Sequence, residues 1–232
     1  MKYKFMVVGA IFASVVAAQA VEYRSDSGVS QNGVGLTAGG NFAWIQQFTV
    51  SGSDNMITSV STTFGTLTQP TTSGVTPGQA FKVYVWKGTP TGAGVDAPTL
   101  LAQVTSNALA ASIGTDVFQT VSINALITGT SNFFIGASTD HTSQTFPGPL
   151  QQTGTGPYPI LDKSWVAGSS TLGAFDPNNL TGGIGILKNS AVGLSGNWLI
   201  RAQASPVPEP MSMAAIAMGI GALALRRRNK KA

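Results

Sequence analysis

The sequence predicts an all-β domain, a two-sheet antiparallel sandwich of jelly-roll type, flanked by an N-terminal signal helix and a C-terminal transmembrane helix. Three observations lead there. Between residues 21 and 205, no window of about twelve residues repeats its apolar positions with the helical period. Short β-branched and aromatic runs recur instead, separated by Gly, Pro, Asn and Asp. The composition agrees: 28 Gly and 12 Pro in 232 residues, with only 9% charged, against about 25% in an average soluble protein.

Residues 1–20 read as a secretory signal. Lys2 and Lys4 supply a positive start, residues 5–18 an apolar run, and Ala18-Gln19-Ala20 the small residues a signal peptidase reads before Val21. Export-type translocation machinery and signal peptidase are the partners this implies. Residues 21–205 form one domain without repeats or a linker.

Strands are expected over 42–50, 56–64, 80–87, 100–105, 116–123, 132–138, 165–167, 183–187 and 198–203. In the second, Met56, Val60 and Phe64 share one face, and Ser59, Ser61 and Thr63 the other. The turn residues 51–55 suit a hairpin between the first two strands. Asn132-Phe133-Phe134-Ile135 is apolar enough for a central strand covered on both faces. Residues 108–112 allow one helical turn. The stretch 139–159, with His141 and four prolines (Pro147, Pro149, Pro157 and Pro159), reads as a long functional or mobile loop.

Residues 206–232 differ in kind. Pro206, Pro208 and Pro210 forbid helix and strand and hold an extended segment around Val207 and Glu209. An apolar run over 211–225 makes a helix of about 22 Å at 1.5 Å per residue, short of the roughly 30 Å hydrocarbon core. Arg226, Arg227, Arg228, Lys230 and Lys231 then stop transfer and stay cytoplasmic, their long stems snorkelling to the interface.

Val207-Pro208-Glu209-Pro210, the short apolar helix and the Arg226-Arg227-Arg228 stop resemble the PEP-CTERM sorting signal of Gram-negative bacteria. The likeness covers the last part of the chain, with all three parts in order. It implies handling by an exosortase, a membrane enzyme that cuts near the motif and releases or re-anchors its substrate at the surface. The segments Phe42-Ala43-Trp44-Ile45, Phe81-Lys82-Val83-Tyr84-Val85-Trp86, Asn132-Phe133-Phe134-Ile135 and Trp198-Leu199-Ile200-Arg201-Ala202 are similar to a recurrent exported bacterial β-sandwich. That likeness brings no activity with it. Such domains carry an Asp-rich turn after the central tryptophan strand; the matching stretch here, residues 87–96, has only Asp96.

Composition excludes much chemistry. With no Cys, disulfides, thiolate zinc sites, iron–sulfur clusters and cysteine nucleophiles are out. One His, His141, excludes sites needing two imidazoles. The pI of about 9.5 misleads: the bases cluster at the two ends, and between Val21 and Val207 eight acids outnumber six scattered bases. No basic face for nucleic acid results. The Gly-x-Ser-x-Gly elbow is absent. The pair of closely set carboxylates that glycoside hydrolysis needs is not evident among the scattered acids. Asp176-Pro177-Asn178-Asn179 reads as an Asx-turn rather than a calcium loop. No cofactor or metal is expected.

Trp44, Trp86 and Trp198 sit in apolar strands and read as core. Trp165, beside Asp162, Lys163 and the long loop, is the candidate ligand contact, with Asp162 and His141. The expected function is a non-enzymatic cell-surface or extracellular-matrix protein, reached through an inner-membrane-anchored precursor. The alternative is a carbohydrate-binding module using Trp165 and Asp162 against extracellular polysaccharide. A third reading is an Asp-based hydrolase gathering Asp140, His141 and Asp162.

Overall fold

A computed structural model describes residues 20–51, 56–68, 72–91, 94–154 and 156–206. Ala18 of the signal segment lies outside them. So do Val207, Pro208, Glu209 and Pro210, the apolar run 211–225, and Arg226, Arg227 and Arg228. Among the described residues no helix is long and apolar enough to cross a membrane.

The described chain is all-β, and its named strands pair antiparallel. In order they are β1 (Val21–Tyr23), β2 (Asn32–Val34), β3 (Gly40–Thr49), β4 (Met56–Thr62), β5 (Ala80–Thr91), β6 (Gly94–Asn107) and β7 (Gln119–Leu126). There follow β8 (Asn132–His141), β9 (Gly148–Gln151), β10 (Ser164–Ser169), β11 (Leu187–Lys188), β12 (Asn197–Trp198) and β13 (Ile200–Ser205). One 3₁₀ turn, Ala110–Ser112, occupies the expected helical turn.

These strands make three sheets rather than two. Four strands run β1-β13-β4-β7, six run β11-β10-β3-β8-β5-β6, and three run β12-β9-β2. The expected hairpin between the first two long strands is overturned. β3 pairs with β8 and β10, whereas β4 pairs with β13 and β7. The chain crosses between sheets there, a connection that turn-forming residues permit as readily as a hairpin.

The main core lies between the four-stranded and six-stranded sheets. Val60, Ile123, Ala202 and Ala204 come from one side, and Trp44, Val83, Val85, Phe133 and Ile135 from the other. β7 alternates strictly, buried at Gln119, Val121, Ile123 and Ala125 and exposed between them, as a strand with one wet face must. In β4 a register shift between Ile57 and Ser59 changes the phase. Ile57 and Val60 therefore point inward at 0% exposure, while Met56 stays at the rim.

A second core covers the opposite face of the six-stranded sheet. Ala43, Ile45, Tyr84, Trp86, Phe134, Trp165 and Ala167 meet Phe175, Leu180 and Ile186 from the irregular segment 170–186. Trp86 Nε1 donates to the Pro177 carbonyl at 2.8 Å and pins that segment down. β8 is thus buried on both faces, as its apolar run predicts. Gly136 sits at its centre because the side chain of Trp86 and the backbone of Trp44 leave no room for a Cβ.

Two further stretches are shaped by their backbone. Over residues 87–96, β5 and β6 run on as a hairpin to the Thr91–Gly94 pair, with register shifts at Val85/Trp86 and Lys87/Thr89. The second bulge absorbs Gly88, and Pro90 pairs with Val95 beyond the last β5–β8 pair, Lys87–Phe133. The strand expected over 183–187 shrinks to Leu187–Lys188. Gly183 and Gly185 take the left-handed conformation at φ 64° and 69°, which a strand cannot hold.

Candidate functional site

Of the three residues expected to share a ligand surface, His141 is placed apart, while Trp165 and Asp162 lie on either side of Lys188. Trp165 is fully buried in the second core. Its ring packs edge-on against Phe134 at 5.9 Å. A solvent-facing stacking platform is therefore ruled out for Trp165; the covering segment 170–186 takes the place a sugar would occupy. All four tryptophans are core residues, none more than 1% exposed.

Asp162 is exposed. It accepts from Lys188 Nζ at 3.0 Å and from the Ser190 hydroxyl at 2.8 Å. The hydrogen bond from Lys188, then that from Ser190, holds its carboxyl below the ordinary value. Lys188 also lies 5.4 Å above the Trp165 ring, so the ammonium fills the space between the two predicted contacts. An exposed pair of this kind contributes little to stability.

His141 lies at the far end of β3 from Trp165. It pairs with Gly40, whereas Trp165 pairs with Ile45, about 17 Å along the strand at 3.3–3.4 Å per residue. It also faces the other core, edge-on to Phe42 at 6.3 Å. It is 3% exposed. Nδ1 donates to the Thr142 carbonyl at 3.1 Å, and Nε2 accepts from the Leu36 amide at 3.2 Å. A carbonyl only accepts, so the ring is the neutral Nδ1–H tautomer.

Burial lowers the pKa of His141 from its ordinary value, outweighing the opposing contacts to Thr142, Thr145 and Asp140. The unfolded chain therefore takes up this proton first as pH falls. The stability His141 contributes is full above about pH 6.5 and is lost as pH falls through the lowered folded value. Thermal melts of the wild type and His141→Gln should differ most at pH 8 and converge toward pH 5. A constant difference would contradict a neutral structural histidine.

The hydrolase triad fails on the same geometry. Asp140 and His141 are successive strand residues, so their side chains leave opposite faces of the sheet. Asp140 Oδ1 accepts from the Asn41 side-chain amide and from the Gly173 amide at 2.8 Å. Asp162 sits at the Lys188 end of β11. No group of three His, Cys, Asp or Glu that could hold a metal ion occurs among the described residues. Asp176 makes the expected Asx-turn, accepting from the Asn178 amide at 2.9 Å.

Two polar arrangements escaped sequence reasoning. The first is a clasp at the domain's ends. Asp26 is fully buried. It receives one forked hydrogen bond from Arg201 Nε, at 3.1 and 3.2 Å to its two oxygens, and one from Nη2 at 2.6 Å. Arg201 also stacks on Phe118 at 3.9 Å and lies 4.0 Å from Glu22. Arg24 donates to the Asp26 carbonyl at 2.7 Å and lies over the Tyr158 ring at 4.4 Å. The clasp fastens β1 and its continuation to β13, where Val21 pairs with Ala204.

The second is a pocket of about 100 Å³ on the outer face of the six-stranded sheet, beyond the rim of the second core. Asn41 of β3, Asp140 and Ser138 of β8, and Lys82 and Tyr84 of β5 line it, roofed by Gly173 and Phe175. Strand alternation and register put them on one face: Asn41 pairs with Asp140, and Lys82 with Ser138. The Tyr84 and Ser138 hydroxyls are 2.8 Å apart. Burial pushes the Tyr84 hydroxyl up to about 12, so it keeps its proton. Phe175 stands edge-on to Tyr84 at 5.7 Å. In chemical terms the pocket offers one cation, one carboxylate, an amide and hydroxyls beside two aromatic rings.

No family model and no curated relative matches the chain. It is similar in structure to the cysteine protease and lectin-like domains of Cwp84, a surface-layer-associated protein of Clostridium difficile. That likeness has 13% identity and a TM-score of 0.41, and covers 81% of this chain and 36% of that one. A clostridial Cwp84 after propeptide cleavage gives the same identity and TM-score, over 81% of this chain and 40% of that one. The chain thus spans well under half the length of the structures it resembles.

Proposed function

We propose that this is an exported, surface-sorted, non-enzymatic protein of a bacterial cell surface or extracellular matrix. An exosortase would process it through Val207-Pro208-Glu209-Pro210, the apolar run and Arg226-Arg227-Arg228. The observation that carries the reading is the order of the two ends. Basic start, apolar run and Ala18-x-Ala20 precede the domain; Pro-Glu-Pro, apolar run and basic stop follow it. The pairing of Val21 with Ala204 suits this order. Both predicted membrane segments would leave the domain at one edge of one sheet and reach one membrane face without stretching it. The absence of cysteine leaves such an exported domain to stand on packing and on the Arg201–Asp26 clasp.

Replacing Pro208, Glu209 and Pro210 together by Ala tests it in the native host. The wild type is expected at the surface or in the medium, and the variant in the inner-membrane fraction. Equal surface display of the two would count against sorting through this motif.

Carbohydrate binding is the second reading. Trp165 and Asp162 no longer support it, but the pocket lined by Lys82 and Asp140 does.

A further inference from the structure

We infer that the pocket between β5, β8 and the 170–186 segment binds the edge of a single sugar residue at the end of a glycan chain. This rests on the carbohydrate-binding reading and is independent of export and sorting.

Four features of the pocket lead there. First, its charged groups are not paired with other charges. Lys82 is exposed and makes no ion pair among the described residues, and Asp140 makes none either. Asp140 Oδ1 holds Asn41 and Gly173, while no hydrogen bond from the described residues engages Oδ2. Second, one cation and one anion share the same small space. A ligand with net charge would meet one of them unfavourably. A neutral ligand whose groups both donate and accept would satisfy both, and hydroxyls do that. Third, the Tyr84–Ser138 pair adds two hydroxyls already linked to one another, able to turn donor or acceptor toward a third. Fourth, the Phe175 and Tyr84 rings give the pocket an apolar flank, as the C–H surface of a sugar ring requires. The volume, about 100 Å³, is small. It admits two neighbouring hydroxyls of one ring and not a stacked chain.

In the complex, Asp140 Oδ2 accepts from one ring hydroxyl and Lys82 Nζ donates to its neighbour. Ser138 reaches the same edge. Phe175 covers the ring, and the rest of the glycan projects into solvent past Lys82.

The test uses saturation-transfer NMR on the full chain in a detergent without a sugar headgroup. The probes are methyl glycosides of glucose, galactose, mannose, N-acetylglucosamine and glucuronate, with glycine as a zwitterionic control. At least one glycoside should bind saturably at millimolar concentration. Lys82→Gln, a change at an exposed position, should weaken it fivefold or more. Lys87→Gln, outside the pocket lining, should not. Saturable binding that Lys82→Gln leaves unchanged would overturn the pocket while leaving carbohydrate binding in place. No binding by any glycoside would overturn both, and binding of glycine alone would assign the pocket to a zwitterion instead.

Discussion

Replacing Arg201 by Met should lower stability by about 3–5 kcal/mol, because it leaves the buried Asp26 carboxylate with its charge uncompensated. For a domain of this size that is a loss on the order of 10 °C in Tm. Removing both charges, with Asp26→Leu added, should recover much of the loss, since a buried pair replaced by apolar groups is often neutral. The double-mutant cycle separates the two costs. The effect should also be local in kind. Asp26 follows β1, and Arg201 lies in β13, so hydrogen exchange should rise first in residues 21–26 and 200–205. A single-variant cost below about 1 kcal/mol would place this pair with the weak exposed bridges such as Asp162–Lys188.

The second large effect is expected at Trp86. Its ring fills the second core, stacked on Tyr84 at 4.9 Å, and its indole donates to Pro177. Trp86→Ala should cost about 3–5 kcal/mol through the cavity it leaves. Trp86→Phe keeps most of the ring and loses the hydrogen bond, leaving the Pro177 carbonyl unpaired at about 1–3 kcal/mol. Both variants should make the 170–186 segment more open to protease than the strands beneath it, and Trp86→Ala the more so. Protection of that segment equal to wild type would mean that Leu180 and Ile186 hold it without the tryptophan.

These two sites show what the sequence reveals and what it hides. The strands β3, β5 and β8 were legible because their apolar runs are long and continuous, as strands covered on both faces must be. β1, β2 and β9 were not. Each has three or four residues, and β2 and β9 contain Gly33, Gly148 and Pro149, which read as turn. The partition into sheets was hidden too. Local turn chemistry at residues 51–55 does not say whether the next strand folds back or crosses over.

The ligand surface failed at Trp165 for a tertiary reason. The segment that buries it carries Phe175, Leu180 and Ile186 without periodicity, among glycines, so nothing local marks it as a cover. The pocket was out of reach for the opposite reason. Asn41, Lys82 and Asp140 are ordinary strand residues far apart in sequence, joined only by the β3–β8–β5 register. Arg201 stands within the Trp198–Ala202 segment, but its partner Asp26 lies 175 residues away. The Asx-turn at Asp176 and the core placement of Trp44, Trp86 and Trp198 were legible from local chemistry, and the structure agrees with them.

On the proposed function, both ends are addresses removed from a surface protein. The intact mass of the protein taken from the surface fraction of its native host tests it most directly. A chain that begins at Val21 and lacks residues 211–232 is expected. A mass at the full 23.8 kDa, or one that retains either segment, would contradict it.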